Sequence, residues 1–131
     1  MKISIENGRL FDPAGKLDAK QDLFIADGKI IALKKKPAGF SADLTIDAKN
    51  KLVLPGLVDL CARLREPGFT HKATFDTECQ AANRSGITSI CCPPDTQPVM
   101  DNTAVVDLIL QRMHEVDRSN VYPLAALTQG L

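Results

Sequence analysis

Polar and apolar positions alternate through the first fifty residues and then cease to. Lys2-Ile3-Ser4-Ile5-Glu6 switches polarity at every step, which predicts a half-buried strand. Asn7-Gly8 follows as a hairpin turn signal, and Arg9 to Phe11 begins a return strand. Asp22 to Ala26 and Lys29 to Leu33 flank Asp27-Gly28, a stronger hairpin signal. Lys34-Lys35-Lys36-Pro37 closes it as a solvated strand end. Leu44 to Asp47 and Leu52 to Leu54 supply two more short strands. Residues 1–54 are therefore expected to form a small β-sheet subdomain.

From residue 55 the texture changes. Val53 to Leu60 is apolar except for Pro55-Gly56 and Asp59, the pattern of a buried strand entered through a turn. A period of two along that strand would point Asp59, Cys61 and Arg63 to one side. Ala73 to Ser85 predicts a helix, with Phe75 and Cys79 four apart, Ala82 beyond, and Gly86 as its stop. Ile87 to Cys91 is a second strand, and Pro93 to Pro98 a loop that cannot be regular structure. Asp101 or Asn102 caps a second helix through about Val116, with Val105, Val106, Ile109, Leu110 and Met113 on one stripe. Val121 to Ala125 is a third strand. This alternation predicts parallel βα units. The stretch 55–131 holds about three such strands.

The bulk properties narrow the function classes. The chain has 131 residues, a formal net charge of zero and 44% hydrophobic residues, an ordinary globular composition. Zero net charge gives no reason to expect nucleic acid or an anionic membrane as partner. The alternating N-terminus has no signal-peptide core, and no apolar run approaches the ~20 residues of a membrane span. A soluble cytoplasmic protein is expected. Cys61, Cys79, Cys91 and Cys92 are then reduced thiols, and Cys91 and Cys92, adjacent on a strand, face opposite sides. No Cys-x-x-Cys spacing marks a structural zinc site. Convergence of Cys61 with Cys91 or Cys92 on a soft metal is the alternative.

A family resemblance runs over essentially the whole chain, through the opening β segment and then three blocks in order. They are Pro55-Gly56-Leu57-Val58-Asp59, Leu64-Arg65-Glu66-Pro67-Gly68, and Asp95-Thr96-Gln97-Pro98-Val99 in a Pro-rich loop. In this order they resemble the dihydroorotases, which are metal-dependent amidohydrolases. The family pattern is Pro-Gly-x-Val-Asp-x-His-x-His-Leu-Arg-Glu-Pro-Gly, and Cys61 and Arg63 stand at the two histidines. The resemblance implies an α/β fold: a small β-sheet subdomain of composite β-sandwich type, then the first strands and helices of an incomplete (β/α)8 metal-dependent-hydrolase barrel. It also makes Arg65 the arginine that grips a substrate carboxylate, through the paired hydrogen bonds a guanidinium offers. Asp95 stands where the family has asparagine.

Both departures weaken the chemistry. A catalytic metal needs about three protein ligands and an open position for water. Arginine has no lone pair and stays protonated, so Arg63 repels a divalent cation. Cysteine can still bind zinc as a thiolate. An ionised Asp95 can only accept, and would set a like charge against a ligand carboxylate. It also suits an Asx-type turn between the prolines. Arg65 and Asp95 are thus expected to be vestigial substrate-binding positions, with no catalytic residue and no metal held by Cys61 and Arg63. Asp59 is expected to pair with Arg63. His71 and His114 are expected to be structural or exposed, and Glu66 and Glu78 form no acid–base pair.

The resemblance comes closest to non-catalytic dihydroorotase-like proteins. It implies a pseudoenzyme of pyrimidine biosynthesis that is oligomeric, has no cofactor, and is a structural partner of aspartate carbamoyltransferase. One alternative is an active zinc dihydroorotase that interconverts carbamoyl-aspartate and dihydroorotate with ligands outside this segment. Another is a related amidohydrolase of altered specificity using Cys61. The family's (β/α)8 barrel takes about 250 residues and its chain continues past the Ala-Leu-Thr-x-Gly-Leu block that stands here at 126–131. The resemblance therefore implies the N-terminal fragment of a longer protein, with about three of eight barrel strands present and the later ligands and catalytic aspartate beyond Leu131.

Overall fold

The structure, a computed structural model, describes residues 1–130. The chain divides into two compact units, Met1–Pro55 and Gly56–Leu131. The first holds strands β1 (Lys2–Glu6), β2 (Arg9–Asp12), β3 (Leu17–Lys20), β4 (Leu23–Ala26), β5 (Lys29–Leu33), β6 (Leu44–Asp47) and β7 (Leu52–Val53). The second runs β8 (Leu57–Asp59), α1 (Phe75–Arg84), β9 (Ile87–Cys92), α2 (Thr103–Val116) and β10 (Asn120–Pro123). The mixed α/β fold expected from the residue pattern is present.

In the first unit, one sheet has the order β5-β4-β1-β6 and a second the order β3-β2-β7. The Asp27-Gly28 hairpin forms as expected. Both residues take positive φ, 51° and 73°, which twists the turn to match the antiparallel β4 and β5. The expected hairpin at Asn7-Gly8 does not form. β1 pairs with β4 and β6, while β2 pairs with β3 and β7, so this turn passes the chain from one sheet to the other. Local side chains explain the choice. The Asn7 backbone N–H donates to Asp22 Oδ1 at 2.9 Å and its amide to Asp47 Oδ1 at 3.0 Å. Gly8 lies so close to Val53 and Ala48 that a Cβ would touch both. β3 was not foreseen, since Leu17-Asp18-Ala19-Lys20 has little apolar content and is mostly exposed. Leu10, Leu23, Phe24, Phe40 and Ala48 form the buried interior, with the Phe24 and Phe40 rings edge to face at 5.4 Å.

In the second unit, β8, β9 and β10 form a parallel sheet in the order β10-β9-β8. Leu64, Phe75, Cys79, Ile90, Cys92, Met100, Val105, Ile109, Met113 and Val121 make one core. The helical stripe is narrower than expected. Val105, Ile109 and Met113 are buried, whereas Leu110 is exposed. α1 starts at Phe75, two residues later than expected, because Thr74 caps it. Thr74 Oγ1 accepts from the Thr77 N–H, and Thr77 Oγ1 accepts in return from the Thr74 N–H. Gly86 terminates it at φ 84°. Asn102 caps α2, accepting from the Val105 N–H at 3.2 Å.

One expectation is corrected at β8. The strand covers only Leu57–Asp59, and Leu57, Val58 and Leu60 are exposed, Leu60 at 73%. Among the described residues β8 is an edge strand paired on one side alone, with β9, so its apolar run is not buried. No helix among the described residues is long and apolar enough to cross a membrane.

Candidate functional site

The singled-out residues lie just past the C-terminal ends of β8 and β9, on segments 60–68 and 93–98. Because β8 ends at Asp59, the alternation of a strand does not extend to Cys61 and Arg63. Asp59 turns back on its own chain instead, its Oδ1 accepting the Cys61 N–H at 2.9 Å. That Asx geometry bends the backbone at the strand end. Cys61 is exposed, and the Ala62 N–H donates to the Cys91 carbonyl at 3.0 Å, which ties this bend to β9.

The expected Asp59–Arg63 pair is replaced by another. Arg63 Nε lies 3.2 Å from Asp95 Oδ2, and Arg65 Nη1 lies 3.9 Å from the same oxygen. Asp59 is engaged with its own backbone, so the guanidinium turns to the carboxylate across the strand ends. Asp95 in turn forms no Asx turn, because the Gln97 N–H donates to the Pro67 carbonyl at 3.1 Å. Two guanidinium groups thus converge on one carboxylate, leaving a local charge of about +1 if all three are ionised.

The two loops are clamped together around this cluster. The Gln97–Pro67 bond joins them, and within the 93–98 loop Thr96 is buried and its hydroxyl donates to the Pro98 carbonyl at 2.8 Å. Gly68 takes φ 101° with the Gln97 backbone against it. A Cβ there would sit 2.5 Å from the Gln97 carbonyl oxygen. Only glycine combines that φ with that approach. Arg65 also takes a positive φ, 66°, and the buried Leu64 anchors the segment in the core.

Glu66 has a role that spacing did not reveal. Its side chain is 16% exposed, Oε2 accepts the Phe75 N–H at 2.9 Å, and Oε1 faces Arg112 Nε at 3.4 Å. A carboxylate at a helix N-terminus satisfies a free N–H and favours the dipole. Glu66 therefore fastens the Arg65 loop to α1 and α2. The residues it joins are distant in sequence, so only the acidic residue type hinted at this. His71 packs edge to face against Phe69 with centroids 6.4 Å apart, and His114 lies in the last turn of α2.

A catalytic zinc needs about three side-chain donors. Arg63 is a cation engaged with Asp95. Among the described residues no three His, Cys, Asp or Glu side chains are grouped to hold an ion. The segment's own residues do not fit a three-ligand zinc centre. The buried thiols are poor thiolate donors too, since burial raises the Cys79 value to about 11 and raises that of Cys92.

Comparison with known proteins bears on the same segment. Residues 50–130 match the family model described as dihydro-orotase-like. A dihydroorotase-like protein of Pseudomonas aeruginosa is 50% identical over 130 residues, 99% of this chain and 31% of its own length. A dihydroorotase-like protein of Pseudomonas putida is 50% identical over 131 residues, again 31% of its length. A dihydroorotase of Syntrophus aciditrophicus is 43% identical over 99% of this chain and 31% of its length. The chain thus spans about a third of the curated relatives it matches. Among solved structures, L-hydantoinase (dihydropyrimidinase) from Arthrobacter aurescens aligns at 24% identity with a TM-score of 0.76. That alignment covers 94% of this chain and 27% of that one. A D-hydantoinase aligns at 22% identity with a TM-score of 0.72, over 100% of this chain and 28% of the other. These two likenesses establish the fold as that of the N-terminal region of such enzymes.

Proposed function

The chain belongs to the dihydroorotase-like family, and from that premise we propose that the full-length protein is a non-catalytic homologue with a structural role in pyrimidine biosynthesis. Its partner in this reading is aspartate carbamoyltransferase, in a cytoplasmic assembly. The observation that carries the loss of catalysis is the Arg63–Asp95 ion pair. A permanent cation occupies a family ligand position and is paired in charge with the residue that replaces the family asparagine. The 50% identity to two proteins that carry the name dihydroorotase-like supports the same direction. The partner follows from the resemblance and from the logic of a site without chemistry. A chain that keeps its core and strand order while its polar site changes retains a surface on which to act.

A second reading is favoured by the 43% identity to a dihydroorotase of Syntrophus aciditrophicus. In it the full-length protein is an active zinc enzyme whose ligands lie outside this segment. Metal content and turnover separate the two. The purified full-length protein is expected to hold less than one equivalent of zinc and to turn over neither carbamoyl-aspartate nor dihydroorotate. Co-expressed with the transferase, it is expected to co-elute on size exclusion and to raise the transferase's stability by mass action. Stoichiometric zinc with chelator-sensitive activity supports the enzyme instead. Separate elution beside a fully active transferase removes the scaffold role.

A further inference from the structure

The Asn7-Gly8 dipeptide at the crossing from β1 to β2 carries a reactivity of its own. Of the five asparagines, only Asn7 precedes a glycine. Gly8 has no side chain, so its backbone nitrogen can attack the Asn7 side-chain amide carbon unhindered. The N–Cγ bond forms, the Cγ–Nδ2 bond breaks, ammonia leaves with the proton of the attacking N–H, and a cyclic succinimide remains. Water then opens either imide carbonyl, giving aspartate or, with the main chain lengthened by a methylene, isoaspartate. The fold anchors both residues against this reaction. The Asn7 amide donates to Asp47 Oδ1 at 3.0 Å, the Asn7 N–H to Asp22 Oδ1 at 2.9 Å, and the Gly8 carbonyl accepts the Gln21 N–H at 3.2 Å. Gly8 is buried, and a Cβ there would stand 2.7 Å from Val53 Cγ2 and 3.0 Å from Ala48 Cβ. Ring closure requires Asn7 Cγ to leave Asp47 and the Asn7–Gly8 peptide to rotate, and the packing of Val53 and Ala48 opposes the rotation. We propose that Asn7 is a deamidation site held silent by the fold, that it reacts when the first unit opens, and that the acidic product hinders the β1–β2 crossing from re-forming.

The surroundings of Asn7 determine what the product does. Asp47 Oδ1 accepts the Asn7 amide and the Lys49 N–H, and these bonds, the Asn7 amide first, hold its carboxylate below the usual range. An aspartate at position 7 has no N–H to offer from its side chain, and it sets a second negative charge beside Asp47, with Asp22 already bound to its backbone. Lys20 is the cation near Asp47 that offsets part of this repulsion. Isoaspartate adds a further misfit, because the lengthened main chain runs into the one position packed without room for a carbon. The crossing serves both sheets of the unit, since β1 pairs with β4 and β6 and β2 with β3 and β7. A molecule that has opened and reacted therefore carries a lasting mark of the event at Asn7.

The test follows the tryptic peptide Ile3–Arg9 of the full-length protein by mass spectrometry. The protein is first incubated in mildly alkaline buffer, with and without urea above its unfolding midpoint, and the same peptide made synthetically gives the rate without a fold. Asn7 in the folded protein is expected to convert at least about tenfold more slowly than in urea or in the free peptide, because a reaction of the opened state tracks its population. Asp47→Ala frees the amide and should raise the rate in buffer by more than its change in urea midpoint accounts for. Asn7→Asp should lower the urea midpoint, and by less at high salt, which screens the added charge. Conversion in the folded wild type as fast as in the free peptide, which needs no variant to fold, overturns the gate. An Asp47→Ala rate equal to that of the wild type removes the anchor, and an Asn7→Asp protein with the wild-type midpoint overturns the effect of the product. Neither metal, turnover nor the transferase enters any of these measurements, so the scaffold reading stands or falls separately.

Discussion

A guanidinium brought to the end of a strand needs a counter-charge, and in this chain the counter-charge is itself a substitution. Taken singly, Arg63 removes a metal ligand and Asp95 adds a like charge against an anionic ligand. Taken together, they neutralise one another at 3.2 Å. This has a consequence for restoring chemistry. Replacing Cys61 and Arg63 by histidine frees Asp95 from its nearer partner and leaves Arg65 as its remaining one, at 3.9 Å. The arginine that the family uses on a substrate carboxylate would then be held by an internal one. Cys61→His with Arg63→His in the full-length protein is therefore expected to give no dihydroorotase turnover. Any recovery should require Asp95→Asn as well. Normal kinetics from the double variant, measured with carbamoyl-aspartate, would show that Asp95 does not sequester Arg65. Each replacement was legible in the sequence, because each falls inside a strongly patterned block. Their meeting was not. It depends on β8 and β9 being neighbours and on Asp59 turning back to its own backbone, and neither follows from spacing.

At the scale of elements, α1 and β9 show how a helix can be right in kind yet shifted in place. The apolar spacing of Phe75 and Cys79 correctly marked the buried face. The start was misplaced because Thr74 and Thr77 form their capping box with threonine where glutamate is the usual signal. Cys79 also has a consequence for pH. It is wholly buried, and burial first, then the nearby Asp76, raises its thiol from the ordinary 9.0 to about 11. The folded chain thus holds this proton more tightly than the unfolded one. The stability that follows is fully present below about pH 9 and is lost as pH rises through the folded value near 11. Urea midpoints of the full-length protein between pH 8 and 11, a range set by those two values, should fall more steeply for the wild type than for Cys79→Ala, which should start lower. Equal slopes would mean that Cys79 does not contribute to the alkaline loss.

For the molecule as a whole, the decisive feature is what the sheet of the second unit leaves open. Parallel sheets in proteins are covered on both faces and extended by further strands. Among the described residues this one has three strands, with β8 and β10 each paired on one side only. Leu57, Val58 and Leu60 are exposed along β8, and Tyr122, Leu124 and Leu127 along and after β10. An edge with free backbone N–H and C=O groups and exposed apolar side chains is a template for pairing with another chain. The sequence made this legible as an incomplete count of strands, but it represented Leu57 to Leu60 as buried, since an apolar run does not disclose whether its neighbour is present. The expected outcome is specific. Residues 1–131 expressed alone should bind a hydrophobic dye such as ANS and self-associate in a concentration-dependent way in light scattering. The full-length protein, in the same buffer, should show weaker dye binding per mole. Charge placed on the edge, as Val58→Lys with Leu60→Lys, should reduce association of the short chain without unfolding it, because neither side chain belongs to the buried core. A short chain that stays monomeric without dye binding would show that the exposed edges are tolerated as they stand, and that the second unit is stable on the core built from Phe75, Ile90, Met100 and Ile109 alone.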